Sequence, residues 1–240
     1  MIKKHIPNII TLGNLICGCF ALIYCCKGEL ITAATFIGVG AIFDFLDGMV
    51  ARLLKVSSEI GKQLDSLADM VSFGVAPGFM LYQLFLQAGI PELDSSNPDS
   101  WIAFSAFLIP AFSALRLAKF NLDTRQSQSF IGVPTPANTL LIASFPLIIE
   151  YGGMLWAKDW ILSPIFLVLI SVVMSYLLVA ELPLFALKFK NMTWGDNKIR
   201  FIFLVLSLVL LIAFKVIAIP FIIFLYIFLS IIDKGTTIEN

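Results

Sequence analysis

The feature that most constrains this fold is a series of long apolar stretches that recurs along nearly the whole chain. Of its 240 residues, 59% are hydrophobic and 13% are charged, against about 45–50% and about 25% in an ordinary soluble domain. Lipid must therefore be the solvent for much of the apolar surface of this chain. A helix needs about 20 apolar residues to cross the hydrocarbon layer of a membrane. We predict an all-α integral membrane fold with about eight transmembrane helices in a single domain, residues 1–240. The predicted spans are residues 9–26, 30–51, 65–90, 101–120, 136–152, 160–182, 200–214 and 216–233.

The last two predicted spans are short and are also compatible with one re-entrant hairpin. If the N-terminus is cytoplasmic and eight spans alternate, only Lys27, Lys158 and Lys215 of the 16 basic residues lie outside, as the positive-inside rule requires. The N-terminal segment lacks a small-x-small cleavage site, so we interpret it as a retained helix. We expect a bacterial cytoplasmic membrane. The formal net charge is zero, which gives no indication of nucleic-acid binding.

Four aspartates flank the connection between the second and third predicted spans, in the segment DFLDGMVARLLKVSSEIGKQLDSLAD at 44–69. Asp44 and Asp47 are three residues apart, and Asp65 and Asp69 are four apart. Both spacings put side chains on one face of a helix. The connection is short enough for a hairpin, so the two carboxylate faces can meet at the cytoplasmic boundary.

The chemistry of this cluster favours a hard divalent cation. Carboxylates repel one another and are costly near lipid, and the single histidine, His5, is far from them in sequence. Oxygen-only ligation favours Mg²⁺, Mn²⁺ or Ca²⁺, and four carboxylates have the capacity for two such ions, as phosphoryl-transfer sites use. The residues beside the aspartates are small, which leaves room for a bulky group, or basic, which suits a phosphate-rich substrate. They are Gly48, Ala51 and Gly61, and Arg52, Lys55 and Lys62.

Two other interpretations fit some of these residues. An aspartate at a helix end is often only solvated at the membrane surface, although four on two matched faces are hard to explain in this way. Carboxylates inside a membrane also serve proton or cation pathways, but these four gather at one boundary. A cation transporter therefore stays a remote alternative.

The segment resembles the signature of the CDP-alcohol phosphotransferase family. That signature reads Asp-x2-Asp-Gly-x2-Ala-Arg, then eight residues, then Gly-x3-Asp-x3-Asp, and every spacing is intact from Asp44 to Asp69. Further blocks are similar to the branch of that family whose acceptor is L-serine. These are IPNIITLGNL at 6–15, SFGVAP at 72–77, SALRLAKFN at 113–121 and FIGVPTPAN at 130–138.

The resemblance implies a reaction in which a phosphatidyl group moves from CDP-diacylglycerol to the hydroxyl of L-serine, giving phosphatidylserine and CMP. It implies that Asp44, Asp47, Asp65 and Asp69 bind divalent cations, two ions of Mg²⁺ or Mn²⁺. It also implies that Asp69 acts as general base on the acceptor hydroxyl. The residues implied to line the CDP pocket are Gly48, Ala51, Arg52 and Gly61.

The acceptor site is open at this point. We expect Arg116 or Lys119, with Asn121 nearby, to receive the serine carboxylate, but both basic residues are also typical membrane-surface anchors. Sibling enzymes with the same signature use glycerol 3-phosphate, inositol phosphate or another alcohol. On the first span, Asn8, Thr11 and Asn14 either approach the polar site or bond neighbouring helices. Members of the family are commonly homodimers, so we expect a homodimer here.

Overall fold

A computed structural model describes residues 3, 5–123, 129–185 and 193–232 of the chain. The fold is built almost wholly from helices, with one two-stranded ribbon. The helices are α1 (Ile6–Cys26), α2 (Leu30–Leu54), α3 (Glu59–Asp69), α4 (Ala76–Gln87), α5 (Leu108–Leu122), α6 (Thr135–Tyr151), α7 (Leu155–Ile161), α8 (Pro164–Val179), α9 (Trp194–Phe214) and α10 (Ala218–Ile232). The strands are β1 (Ser129–Ile131) and β2 (Pro183–Phe185).

The turn between α2 and α3 brings the two aspartate-bearing helices together. Lys55 ends α2 in the left-handed conformation, with φ of 51° and ψ of 42°. Three residues later Ser58 caps α3 by accepting a hydrogen bond from the Gly61 N–H at 3.0 Å, which satisfies one of the otherwise unpaired donors of the first turn. Because the turn is this tight, carboxylates from the last turns of α2 and from α3 converge, as the sequence predicted.

The third helix does not end at Asp69 but changes its winding. Residues Met70–Val75 form a π-helical segment, and α4 continues from it, so Glu59–Gln87 is one helical run of 29 residues. π-helical insertions are uncommon and occur frequently at functional sites. Here the insertion begins directly after the last aspartate of the signature.

The N-terminal half packs as a bundle around this run. Helix α1 packs along α2 and also contacts α3, the π-helical segment and α4. On the other side the π-helical segment contacts α5 and α6. Fully buried apolar side chains from α2, α4 and α6 form the core there, among them Ile37, Phe85 and Leu141.

The ribbon links the end of α5 to the C-terminal half. Strand β1 pairs antiparallel with β2, with Phe130 opposite Leu184. At the β2 end, the Tyr226 hydroxyl of α10 donates to the Phe185 carbonyl at 2.9 Å. The ribbon thereby fixes α10 to the rest of the fold.

Helices α9 and α10 form an antiparallel hairpin that turns at Lys215, where φ is 51° and ψ is −126°. The rings of Phe203 and Tyr226 lie 5.7 Å apart. A straight helix would put these residues about 34 Å apart, at about 1.5 Å per residue. The sequence predicted a break at Lys215 between two apolar stretches. In the structure this break is a turn between two helices that pack against each other.

The all-α membrane architecture is confirmed, but the number of eight spans is not. Within the described residues, five helical runs are long and apolar enough to cross a membrane, with the α9–α10 hairpin counted as the single run Asn197–Ile232. The count is six if α7 and α8, bent by 63°, are taken as one span. Helix α6 has only 17 residues and most of them are buried by protein, so its apolar side chains face neighbouring helices more than lipid. The orientation stays a prediction. Several basic residues that support it lie outside the described residues: Lys4, Arg125, Lys188, Lys190 and Lys234.

Candidate active site

Three of the four predicted aspartates form a tight cluster. Asp44 and Asp47 come from the last turns of α2 and Asp65 comes from α3, and one carboxylate oxygen of each lies within 4.8 Å of the others. Asp47 is buried, and Asp44 and Asp65 are half-buried. The carboxyl group of Asp69, one helical turn further along α3, interacts electrostatically with all three. Helical spacing therefore predicted this grouping correctly, and the structure sets Asp69 beside the group of three.

Helix α1 holds two of these carboxylates through hydrogen bonds. The Thr11 hydroxyl lies 2.6 Å from Oδ2 of Asp47, and the Asn14 amide nitrogen donates to Oδ1 of Asp69 at 3.2 Å. Both α1 residues are buried. The sequence left two roles open for them, approach to the polar site or bonding between helices, and the structure shows that the same contacts do both.

A close approach between α1 and the π-helical segment supports these bonds. The Ser72 hydroxyl donates to the backbone carbonyl of Asn14 at 2.9 Å. One turn along α1, a Cβ atom on Gly18 would lie 2.4 Å from Oγ and 2.9 Å from Cα of Ser72. Only glycine fits at this contact, so the backbone that carries Asn14 is pressed against the segment that follows Asp69.

A cavity of about 280 Å³ opens beside the aspartates; we call it the first cavity. Its wall includes Asp47 and Asp65 together with Gly48, Ala51 and Gly61. These are the small residues that the signature implied, and they leave the carboxylates accessible from this side. The remaining lining residues are Pro7, Asn8, Thr11, Val56, Ser57, Ser58 and Lys62.

Arg52 differs from the other residues implied to line the nucleotide pocket. Its side chain is exposed, and its Nη1 atom lies 4.0 Å from the position of a Cβ on Gly48. It is therefore at the rim of the first cavity and not part of its wall. A long guanidinium at a rim can swing toward a bound anion.

A second cavity, of about 320 Å³, contains the two basic residues predicted to receive the acceptor. Arg116 and Lys119 of α5 line it together with Asp123 and Glu181, and its other wall residues are Leu122, Ile131, Leu178 and Val179. Arg116 is only 6% exposed, which is unusual for a residue that serves as a membrane-surface anchor. Lys119 is exposed.

The third residue predicted at the acceptor site, Asn121, points elsewhere. Its side-chain amide nitrogen donates to the Ser66 hydroxyl at 2.9 Å, and its backbone carbonyl accepts from the Lys62 ammonium group at 3.0 Å. These contacts join the end of α5 to α3. Asn121 therefore lies away from the lining of the second cavity.

The donor set fits a hard divalent cation. Asp44, Asp47 and Asp65 supply three convergent carboxylate oxygens with no nitrogen or sulfur ligand among them, which is the composition that Mg²⁺, Mn²⁺ and Ca²⁺ prefer. A cation would also offset the repulsion between carboxylates that are partly shielded from water. The residues present therefore fit a metal, with Asp69 close enough to contribute.

Some site residues had no clear signal in the sequence. Glu181 follows the end of α8 in an irregular stretch, where no helical period assigns it a face. The burial of Arg116 depends on the packing of α5 against α8 and the π-helical segment, and its Nη1 atom lies 3.4 Å from the Thr135 hydroxyl of α6. The place of both residues in the site depends on contacts between segments that are distant in sequence, which the sequence alone does not show.

The sequence model of the CDP-alcohol phosphatidyltransferase family matches residues 4–169 of the chain. The match includes α1 to α7 and the start of α8, and thus all four aspartates and both helices that hold them. It stops before β2 and the α9–α10 hairpin.

Individual relatives agree with this match. The chain is 36% identical over 154 residues to the CDP-diacylglycerol–serine O-phosphatidyltransferase of Bacillus subtilis, covering 62% of this chain and 82% of the relative. It is 33% identical over 170 residues to the enzyme of that name from Helicobacter pylori, covering 70% and 68%. For the Mycobacterium leprae relative the identity is 34% over 165 residues, covering 65% of this chain but 52% of the relative.

Proposed function

This chain belongs to the CDP-alcohol phosphatidyltransferase family, and we propose that it transfers the phosphatidyl group of CDP-diacylglycerol to the hydroxyl of L-serine. The products are phosphatidylserine and CMP. The observation that carries the proposal is the group of carboxylates from Asp44, Asp47 and Asp65 beside an open cavity, in a chain whose relatives carry the serine phosphatidyltransferase name.

We assign the metal site to Asp44, Asp47 and Asp65, with Asp69 as a further ligand. The cation is Mg²⁺ or Mn²⁺, and the four carboxylates have the capacity for two ions. When bound, the metal neutralises charge on the diphosphate and on the departing CMP. Thr11 and Asn14 keep the carboxylates of Asp47 and Asp69 in place through their hydrogen bonds.

The first cavity is the proposed site of the CDP group. Gly48, Ala51 and Gly61 keep its wall low beside Asp47 and Asp65, so a diphosphate can come close to the carboxylate cluster. Arg52 at the rim and Lys62 in the wall supply positive charge for the phosphates. The acyl chains remain among the exposed apolar side chains at the membrane-facing surface.

Asp69 is the proposed general base. Its carboxylate takes the proton of the serine hydroxyl while that oxygen bonds to the phosphorus that carries diacylglycerol. The bond from this phosphorus to the oxygen of CMP breaks, and CMP leaves with the bonding electrons. Because Asp69 is buried and held by Asn14, its carboxylate has a fixed direction, and positioning is the main requirement of phosphoryl transfer.

The acceptor carboxylate is assigned to Arg116 or Lys119 in the second cavity. The buried guanidinium of Arg116 interacts electrostatically with Asp69, which supports an acceptor site within range of the charge of the proposed base. Asn121, which the sequence grouped with them, is assigned instead to joining α5 and α3.

An acceptor panel tests the proposal. Purified protein is incubated with CDP-diacylglycerol and Mg²⁺ or Mn²⁺, and CMP release is measured with L-serine, glycerol 3-phosphate, inositol phosphate or choline as acceptor. We expect release with L-serine, its loss with a chelator and its recovery on adding the metal back. Release that responds to another alcohol but not to serine would contradict the acceptor, whereas full activity in excess chelator would contradict the metal site.

We further propose a bacterial cytoplasmic membrane as the location, with the aspartates at its cytoplasmic face, and a homodimer as the assembly. The distribution of the basic residues supports the location and orientation. The family resemblance supports the homodimer, and chemical crosslinking in native membranes tests it.

A further inference from the structure

We propose that the second cavity binds its acceptor as a zwitterionic amino acid, with Glu181 as the partner of the α-ammonium group. This inference rests on the proposed function and deepens it, because it assigns the residue that makes the site select an amino acid over a phosphorylated or uncharged alcohol.

The charges around the second cavity carry the inference. Two cationic side chains, Arg116 and Lys119, and two carboxylates, Asp123 and Glu181, line the same space. An acceptor with a phosphate group would find suitable cations there but would also face two like charges, which disfavours its binding. A free amino acid carries one carboxylate and one ammonium group a few bonds apart, and it complements both sets.

The basic side of the cavity has an unused hydrogen-bond donor. Arg116 is 6% exposed, and its Nε atom is buried without a hydrogen-bond partner. Buried donors are rarely left unpaired in native proteins, so the Arg116 guanidinium keeps unused hydrogen-bonding capacity beside the cavity that it lines. Arg116 also interacts electrostatically with Asp69, the proposed base.

The backbone before β2 holds Glu181 at this cavity. The N–H groups of Gly132 and Val133 donate to the carbonyls of Leu182 and Leu177, both at 2.9 Å. Gly132 has φ of 76°, and a Cβ there would lie 2.4 Å from the Leu178 carbonyl oxygen. This glycine therefore lets the segment before α6 pack directly on the end of α8, which brings Glu181 to the same cavity as Arg116.

Glu181 also lies beyond residue 169, where the family match ends. The signature that handles CDP and metal is within the match, and all members must share that chemistry. The acceptor, by contrast, differs between siblings, so a determinant of acceptor choice is expected in a part of the chain that is free to differ.

The test compares Glu181→Gln, Glu181→Asp and a matched control, Glu150→Gln. Glu150 is exposed and lies at the far end of α6, about 22 Å along the helix from Thr135. Initial rates of CMP release are measured in detergent with the holoprotein, Mg²⁺ or Mn²⁺ and CDP-diacylglycerol. The acceptors are L-serine and 3-hydroxypropionate, which is serine without its ammonium group.

For Glu181→Gln we expect the KM for L-serine to rise about tenfold or more, as loss of a charge-assisted contact implies. The kcat and the KM for CDP-diacylglycerol should stay close to those of the unaltered protein, and the preference for serine over 3-hydroxypropionate should fall by the same factor. Glu181→Asp keeps the charge, so its KM for L-serine should lie between those of the unaltered protein and Glu181→Gln. Glu150→Gln should behave like the unaltered protein.

Two results would overturn the inference alone: an unchanged serine KM in Glu181→Gln, or a joint loss of kcat and of affinity for both substrates, which indicates a structural role. If the unaltered protein releases no CMP with L-serine, the proposed function fails and the inference fails with it. The two failures are therefore distinguishable.

Discussion

At Asp69 the chain buries a carboxylate at the junction between α3 and the π-helical segment, beside three other carboxylates. Replacement by asparagine keeps the size of the side chain and removes its capacity to accept a proton. For Asp69→Asn we expect kcat for CMP release to fall by about 10²–10⁴-fold, the usual contribution of a general base, in a protein that stays folded.

The control for this variant is Asp99→Asn, a carboxylate exposed in the segment between α4 and α5, which should keep full activity. Gel filtration and thermal unfolding in detergent report whether both variants are folded. Normal transferase activity in Asp69→Asn would show that another group accepts the proton.

Thr11 bonds to one of the carboxylates of the proposed metal site and is not one of the proposed ligands. Its hydroxyl bonds to Asp47 at 2.6 Å, and Thr11→Val keeps the shape while removing that bond. Because groups that orient metal ligands are typically worth 10–100-fold in metal affinity, we expect the Mn²⁺ concentration for half-maximal activity to rise about tenfold. The rate at saturating Mn²⁺ should be largely retained.

Thr35→Val is the matched control, since the Thr35 hydroxyl is exposed and bonds only within α2, to the Ile31 carbonyl. Its Mn²⁺ dependence should equal that of the unaltered protein. If the Mn²⁺ concentration for half-maximal activity rose equally in both variants, or did not rise in Thr11→Val, the Thr11 contact would have no specific role in metal binding.

Single residues differ in how far the sequence alone could assign them. The aspartates were predictable because a spacing of three or four residues on a helix determines a shared face whatever surrounds it. For Thr11 the same spacing argument gave the face but not the partner. For Arg116 neither burial nor partner was predictable, because the burial depends on α8 and the π-helical segment packing against α5 and the partner, Thr135, comes from α6.

At the scale of elements, the contact between α1 and the π-helical segment sets the position of Asn14 and hence of Asp69. Gly18→Ala would put a methyl group 2.4 Å from Oγ of Ser72. We expect a loss of about 1–3 kcal/mol in the free energy of unfolding, as overpacking of a tight core usually costs. Thermal unfolding in detergent measures it, and activity should fall with the displacement of Ser72 and Asn14.

Gly38→Ala provides the comparison within the same bundle, because a Cβ at Gly38 meets nothing within 4 Å. Alanine favours a helix over glycine by about 0.8–1.0 kcal/mol, so this variant should be as stable as the unaltered protein or more so. Equal unfolding temperatures for the two variants would contradict the close approach at Gly18.

The sequence predicted the helices well where the length of an apolar run determines their bounds. It predicted poorly where a helix changes its winding or bends. The bounds of α1 and α2 follow from apolar runs that end at polar or glycine residues. The π-helical segment Met70–Val75 has no such signal, since its residues also suit an ordinary helix. The bend between α7 and α8 falls where Pro164 begins a new helix, as proline favours, whereas the inward position of α6 arises from packing.

At the scale of the whole molecule, composition determines the solvent but not the number of crossings. The excess of apolar residues requires lipid, as predicted. Counting apolar stretches overlooks the possibility that a short apolar helix is covered by protein, as most of α6 is. The architecture was therefore predictable, whereas the eight crossings were an extrapolation from length.

The orientation of the molecule is the last property that the basic residues predict, and single cysteines can test it. In a variant whose four free cysteines are replaced by alanine, Ser95→Cys and Gln63→Cys each put one thiol at an exposed position, on opposite sides of the predicted third span. Because positive charge is retained inside, a membrane-impermeant maleimide should label Ser95→Cys in intact spheroplasts and Gln63→Cys only after permeabilisation. The cysteine-free parent should stay unlabelled, and the reverse pattern would place the aspartate cluster on the outer face, where a cytoplasmic nucleotide-activated lipid headgroup could not reach it.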